Sequence, residues 1–181
     1  MSEELDVLKE VCRRLENAGI LYMITGSVAA NFYAVPRMTR DIDIVIEIGQ
    51  ESADKIEKLF RDDFYLDKAS ISEAIAVQGM FNILHNECVI KIDFIVRKES
   101  SYRKLEFERR RPAEFEGQKI WIVSPEDLIL SKLFWAKESL SEMQLGDVKN
   151  LLRLVKDLDT AYIEKWVDSL YLRDIYQKVQ Q

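Results

Sequence analysis

Apolar residues recur along this chain in two rhythms, and the change from one to the other marks out its elements. Over residues 3–18, Leu5, Leu8, Cys12 and Leu15 fall at helical spacing with Val11 beside them, and the pattern stops at Gly19, which can take the left-handed conformation that ends a helix. A short apolar run at 20–24 suits a buried strand. Gly26-Ser27 then turns the chain, and residues 28–33 have the composition of a short helix. Residues 41–48 alternate strictly, with Ile42, Ile44, Ile46 and Ile48 on one face and Asp41, Asp43, Val45 and Glu47 on the other. Segments 51–61 and 70–78 read as helices. Strands at 80–84 and 88–96 flank a turn at His85-Asn86-Glu87, and the second repeats the alternation, setting Ile90, Ile92, Phe94 and Val96 against Lys91, Asp93 and Ile95. A last strand pair turns around residues 116–119 and ends at 120–123.

Beyond residue 123 the rhythm is helical throughout. Ser124 offers an N-cap, with Pro125 at the first helical position and Glu126 and Asp127 in the first turn, so a helix is predicted through about Ser139. Ser141 with Gln144 forms a capping-box pattern that opens a helix to about Asp157, and two shorter helices follow near 159–169 and 171–179. The pattern predicts an α/β (α+β) protein: a mixed sheet flanked by helices over residues 1–123, with a helical region, 124–181, packed on it.

Length and composition narrow the chemistry. With 181 residues, 48% of them apolar, the chain can bury roughly 70% of its unfolded surface without disulfides or a structural metal. Cys12 and Cys88 stand far apart with no CxxC spacing, and His85 is the single histidine, so a zinc site and a histidine-based triad are both poorly supplied. A net charge of −6 opposes any coating of nucleic acid or membrane by bulk charge, so an RNA contact would have to be focal. The basic run Arg109-Arg110-Arg111, after Arg103-Lys104, is the candidate patch, but Glu106, Glu108 and Glu114 interleave with it, and a solvated face is expected. No apolar run approaches the ~20 residues of a membrane span and the start lacks a signal pattern, so a cytoplasmic protein without a membrane segment is expected. Trp121, Trp135 and Trp166 occupy apolar positions and are expected in the core.

Aspartate is depleted in strands, yet Asp41 and Asp43 share one face of one. Two like charges ~4 Å apart repel by about 4 kcal/mol at an effective dielectric near 20, and by about 1 kcal/mol if fully solvated. Either the face is open to water, or a cation offsets the repulsion. Asp93, also mid-strand opposite an apolar face, would put a third carboxylate on the same side if the two strands are neighbours. Three such groups can hold two hard divalent ions, the arrangement used for in-line displacement at phosphorus. The Gly26-Ser27 turn adds backbone amides that can approach a phosphate. Absence of GxxxxGK and GxGxxG leaves no Walker-type or dinucleotide motif.

Gly26-Ser27, thirteen intervening residues, Asp41-Ile42-Asp43 and a later Asp93 in Ile92-Asp93-Phe94 resemble the signature of the nucleotidyltransferase superfamily that includes DNA polymerase β. The run from Arg37 to Asp43, together with Ser124-Pro125-Glu126-Asp127-Leu128 and Lys132, is similar to the AbiEii-like branch, known for toxins of toxin–antitoxin pairs. The arginines that this branch often carries between that lysine and a later aspartate are absent from 138–144. The resemblance implies two magnesium ions, with manganese able to substitute, held by Asp41, Asp43 and Asp93, which with Lys132 would form the catalytic set. It implies that Gly26, Ser27, Arg37, Thr39, Arg40, Lys132 and Asp147 bind a nucleoside triphosphate. The activity implied is transfer of a nucleoside monophosphate to a hydroxyl of an RNA end, a protein or a small molecule, with an antitoxin protein as partner in the toxin case. A non-enzymatic nucleotide- or partner-binding module and an aminoglycoside-type antibiotic nucleotidyltransferase are the alternatives.

Overall fold

The computed structural model describes residues 3–39, 41–139 and 141–180. Helix α1 (Glu3–Asn17) leads into strand β1 (Leu21–Ile24), helix α2 (Gly26–Tyr33) and strand β2 (Asp41–Glu47). A 3₁₀ turn at Gln50–Ser52 opens α3 (Ala53–Phe60), followed by β3 (Phe64–Tyr65), α4 (Lys68–Val77), β4 (Met80–His85), β5 (Lys91–Val96) and α5 (Ser101–Glu108). The hairpin β6 (Arg111–Phe115) and β7 (Gln118–Ile122) precedes four helices, α6 (Pro125–Ser139), α7 (Glu142–Leu154), α8 (Thr160–Ser169) and α9 (Arg173–Gln180). None of the described helices is long and apolar enough to cross a membrane.

The strands form one mixed sheet in the order β3-β4-β5-β2-β1-β7-β6, with β2/β5 and β1/β7 parallel and the other pairs antiparallel. The expected alternation holds in β2 and β5. Ile42, Ile44, Ile46, Ile92 and Phe94 are fully buried on one face, where the Phe94 ring meets Phe60 of α3 at 5.6 Å and Phe81 of β4 at 5.3 Å. Burying each such side chain contributes about 1.5–3 kcal/mol, so this face holds the register firmly. Helix α6 is apolar nearly all round, with Leu128, Ile129, Leu130 and Leu133 all buried, because it packs against α2 and also against α7, α8 and α9. Both predicted caps form: the Ser124 hydroxyl accepts from the Asp127 N–H (3.2 Å), and Ser141 Oγ accepts from the Gln144 N–H (3.4 Å).

Two elements escape the periodicity. Strand β3 is only a residue pair, and α5 is masked by its charges: Glu106 is buried, accepting from Arg103 Nη1 (2.7 Å) and Ser131 Oγ (2.5 Å). Helix α7 also stops at Leu154, short of Asp157. The solvated face expected at Arg109-Arg110-Arg111 is found in part: Arg111 is exposed, while Arg109 and Arg110 are half-buried. Arg109 Nε donates to Asp127 Oδ2 (3.0 Å) beneath the Tyr162 ring, Arg111 donates to Glu126 (3.2 Å), and Arg110 lies over the Phe107 ring at 4.4 Å. Arg109 and Arg111 are paired with the start of α6, so the run is not a free basic patch. His85 ends β4, its Nδ1 accepting from the Glu87 and Cys88 N–H groups at 3.3 and 3.2 Å. Both cysteines are free.

Candidate active site

Parallel pairing of β2 with β5 sets Asp43 opposite Asp93 and Asp41 opposite Lys91. Adjacent strands lie about 4.8 Å apart and positions two residues apart share a face, so the backbone places all three aspartates on the side away from the isoleucine core. Asp93 is 7% exposed; its Oδ2 accepts from Lys91 Nζ at 2.8 Å, while its Oδ1 is buried with no hydrogen-bond partner among the described residues. Lys91 Nζ also lies 3.7 Å from Asp41 Oδ1, at the exposed start of β2. Burial, and then the like charges of Asp93 and Asp41, push the Asp43 carboxyl up to about 6, against the pull of Lys132 and a hydrogen bond from the Ser27 N–H.

The turn before α2 closes on that carboxylate. The Thr25 N–H donates to the Asp43 carbonyl (2.9 Å), which pins the end of β1 to β2. Gly26 has φ +64°, and a Cβ there would stand 1.9 Å from Asp43 Oδ2. Only glycine meets both demands, the left-handed backbone and the close approach.

A second cluster joins α2, the 34–39 loop, α6 and α7. Arg37 donates from Nε and Nη2 to the two oxygens of Asp147 (3.1 and 3.0 Å) and from Nη2 to Ser27 Oγ (2.7 Å). Its backbone is clamped by Asn31, whose side chain both donates to the Arg37 carbonyl (2.7 Å) and accepts from its N–H (2.9 Å). Lys132, 2% exposed, donates to Asp147 Oδ2 (2.8 Å) and Gln144 Oε1 (3.0 Å). Burial lowers the lysine's pKa in spite of Asp147. Burial acts upward on Asp147, but hydrogen bonds from Arg37 and Lys132 outweigh it and hold that carboxyl below its usual range.

Between the two clusters lies a cavity of about 210 Å³ whose lining includes Thr25, Gly26, Asp43, Asp93, Lys132 and Trp135. It shares Thr25, Met80, Ile95, Ser131 and Trp135 with a second cavity of about 290 Å³. The structure thus gathers Gly26, Asp43, Asp93 and Lys132 at one cavity, with Ser27, Arg37 and Asp147 linked to them through hydrogen bonds. Thr39 is not brought in: its hydroxyl donates to the Asp41 carbonyl (3.2 Å) and it lines a separate cavity with Leu8, Val28 and Met38. Arg40 lies outside the described residues. Trp135, expected in the core, is 50% exposed and walls both cavities, because the face of α6 that meets the cleft has no partner element there. Lys91 and Gln144 escaped notice as site residues. The first reads as one polar position on an alternating strand and the second as half of a capping box.

The donor set suits a hard divalent cation: carboxylate oxygens on one face, a raised Asp43, and a buried Asp93 oxygen lacking a donor. The side chains do not yet converge. Among the described residues no three acidic, histidine or cysteine groups are close enough to hold an ion. Lys91 occupies the gap instead.

No family model matches the sequence, and no curated protein matches it. Solved structures match by fold. An antigenic nucleotidyltransferase-like protein from Paracoccidioides brasiliensis superposes with a TM-score of 0.60 and 17% identity over 99% of this chain and 93% of its own. The lincosamide antibiotic adenylyltransferase LnuA, solved with lincomycin bound, gives 0.58 and 17% over 84% of this chain and 97% of its own. The enzyme ANT(2")-Ia, in complex with adenylyl-2"-tobramycin, gives 0.61 and 13% over 97% and 99%. The mixed sheet with flanking helices is a nucleotidyltransferase-like fold.

Proposed function

We propose that this protein is a magnesium-dependent nucleotidyltransferase that moves a nucleoside monophosphate from a nucleoside triphosphate to an acceptor hydroxyl. The observation that carries the reading is the β2–β5 register, which sets Asp43 beside Asp93 under a glycine that admits no side chain. Asp41, Asp43 and Asp93 would hold the ions, which when bound supply charge neutralisation at the phosphates. The Gly26 amide at the start of α2 and Ser27 Oγ, held in place by Arg37, would meet the phosphates, while the Ser27 N–H is engaged by Asp43. Arg37 and Lys132, both fixed by Asp147, supply positive charge without losing conformational freedom when substrate enters. Asp93 Oδ1, buried and without a donor, is suited to take the proton of the acceptor hydroxyl. The acceptor oxygen then forms its bond to the α-phosphorus, the bond to the bridging oxygen breaks, and pyrophosphate leaves.

An RNA end, a protein side chain and a small molecule are the acceptor classes. The toxin reading rests on the run from Arg37 to Asp43 and the Ser124-to-Lys132 stretch. An antibiotic acceptor is favoured by the fold likeness to LnuA and ANT(2")-Ia. Incubation with each labelled nucleoside triphosphate, magnesium and total RNA, with an aminoglycoside and a lincosamide in parallel, tests the reading. Label should move to one acceptor and vanish with Asp43→Asn. Transfer by that variant at the parent's rate would refute the site, and absence of transfer to every acceptor, itself included, would favour a non-enzymatic binding module.

A further inference from the structure

Among the described residues, Lys91 is the one cation within 4 Å of two of the three strand aspartates, and the register brings it there. It stands opposite Asp41 in the β2–β5 pair and two residues before Asp93 on the same face, so its side chain projects between them. Its ammonium is 2.8 Å from Asp93 Oδ2 and 3.7 Å from Asp41 Oδ1, while the side chain as a whole is 40% exposed. Magnesium–oxygen bonds are about 2.0–2.1 Å long, so an ion bonded to the same oxygens and an ammonium in this position would overlap. At these two oxygens the two cations exclude one another.

We infer that Lys91 is a tethered counter-cation: its ammonium holds Asp41 and Asp93 in the metal-free protein and must leave that gap before a divalent ion can enter. This rests on the metal-binding part of the proposed function. The ammonium offsets part of the repulsion among carboxylates that share one sheet face, and among the described residues these carboxylates are not drawn into a cage. Because the side chain reaches solvent, it can swing out without opening a void in the core. Lys91 is therefore a positioning residue that sets how readily the site loads.

The test is Mn²⁺ binding followed by calorimetry without nucleotide, on the parent, Lys91→Met, Lys91→Arg and, as a charge-matched control, Lys104→Met, whose lysine pairs with Glu99 on the surface. Lys91→Met should bind Mn²⁺ about tenfold tighter, the factor that a modest loss of competing interaction produces, and should melt at lower temperature than the parent in chelator. Lys91→Arg and Lys104→Met should bind like the parent. A merely structural lysine would give the opposite sign, since loosening the strands weakens an ion site. Unchanged or weaker binding by Lys91→Met, or equal tightening by Lys104→Met, would overturn the inference. Failure of parent and Lys91→Met alike to bind Mn²⁺ would overturn the metal reading beneath it. If Lys91→Met does not fold, Lys91→Gln carries the same comparison.

Discussion

Replacing Asp43 by Asn removes one of the two carboxylates that the β2–β5 register sets side by side, and its effect on stability can be worked out from the structure. In the metal-free protein, burial and the neighbouring Asp93 raise the Asp43 carboxyl from its ordinary 3.8 to about 6. Between those two values the folded state holds a proton that the unfolded state releases. Stability is therefore greatest below the unfolded value and falls as pH rises through about 6. A rise of about two pK units corresponds to about 3 kcal/mol, and partial exposure trims this to about 2–3 kcal/mol. Asn keeps the shape, and its carbonyl can still accept from the Ser27 N–H, but it never carries the charge. In chelator the variant should match the parent near pH 4 and exceed it by about 2–3 kcal/mol at pH 8. Urea unfolding at pH 4.5, 6 and 8 measures both curves, and their difference cancels the titrating groups that do not interact with Asp43. A variant no more stable than the parent at pH 8, or a gap that does not close on acidification, would refute the claim that Asp43 is a strained anion awaiting a cation.

Other expectations follow from single residues. Gly26→Ala should cost about 2–3 kcal/mol in denaturation, from the left-handed backbone and the forced shift of Asp43; in an Asp43→Ala background the penalty should drop towards the backbone cost alone, about 1–2 kcal/mol. Asp127→Ala should destabilise by about 3–5 kcal/mol in urea unfolding, because the buried carboxylate accepts from Ser124 Oγ (2.6 Å), Tyr162 Oη (2.7 Å), Tyr102 Oη (3.3 Å) and Arg109 Nε (3.0 Å), joining α5, α6 and α8. Titration of the native protein with an aromatic disulfide reagent should find Cys88 reactive and Cys12 silent until denaturant is added, since burial pushes the Cys12 thiol up to about 12.

How much of this was legible beforehand differs by element. The period-two alternation of β2 and β5 identified which residues share a face, because successive side chains of a strand point to opposite sides whatever the rest of the chain does. The caps at Ser124 and Ser141 were equally readable, since a cap is a contact between residues three apart. Helix α5 was not: Arg103 and Glu106 look like surface charges until their pairing with each other and Ser131 is seen. The same holds for Arg109, whose partner Asp127 lies on another element.

The amino-acid order alone therefore determined the local grammar: strands with one acidic and one aliphatic face, a glycine-serine turn, and a capped helical C-terminal third. It could also place Lys91 on the acidic face. Only the tertiary structure decided that Asp43 meets Asp93, because residues 50 positions apart become neighbours through the choice of strand partner and register, which the buried isoleucine face enforces. It alone turned Gly26 from an ordinary turn residue into the one position where a methyl group would strike a carboxylate, and it alone exposed Trp135 at the cleft. These are distances between groups remote in the chain, and no short-range pattern encodes them.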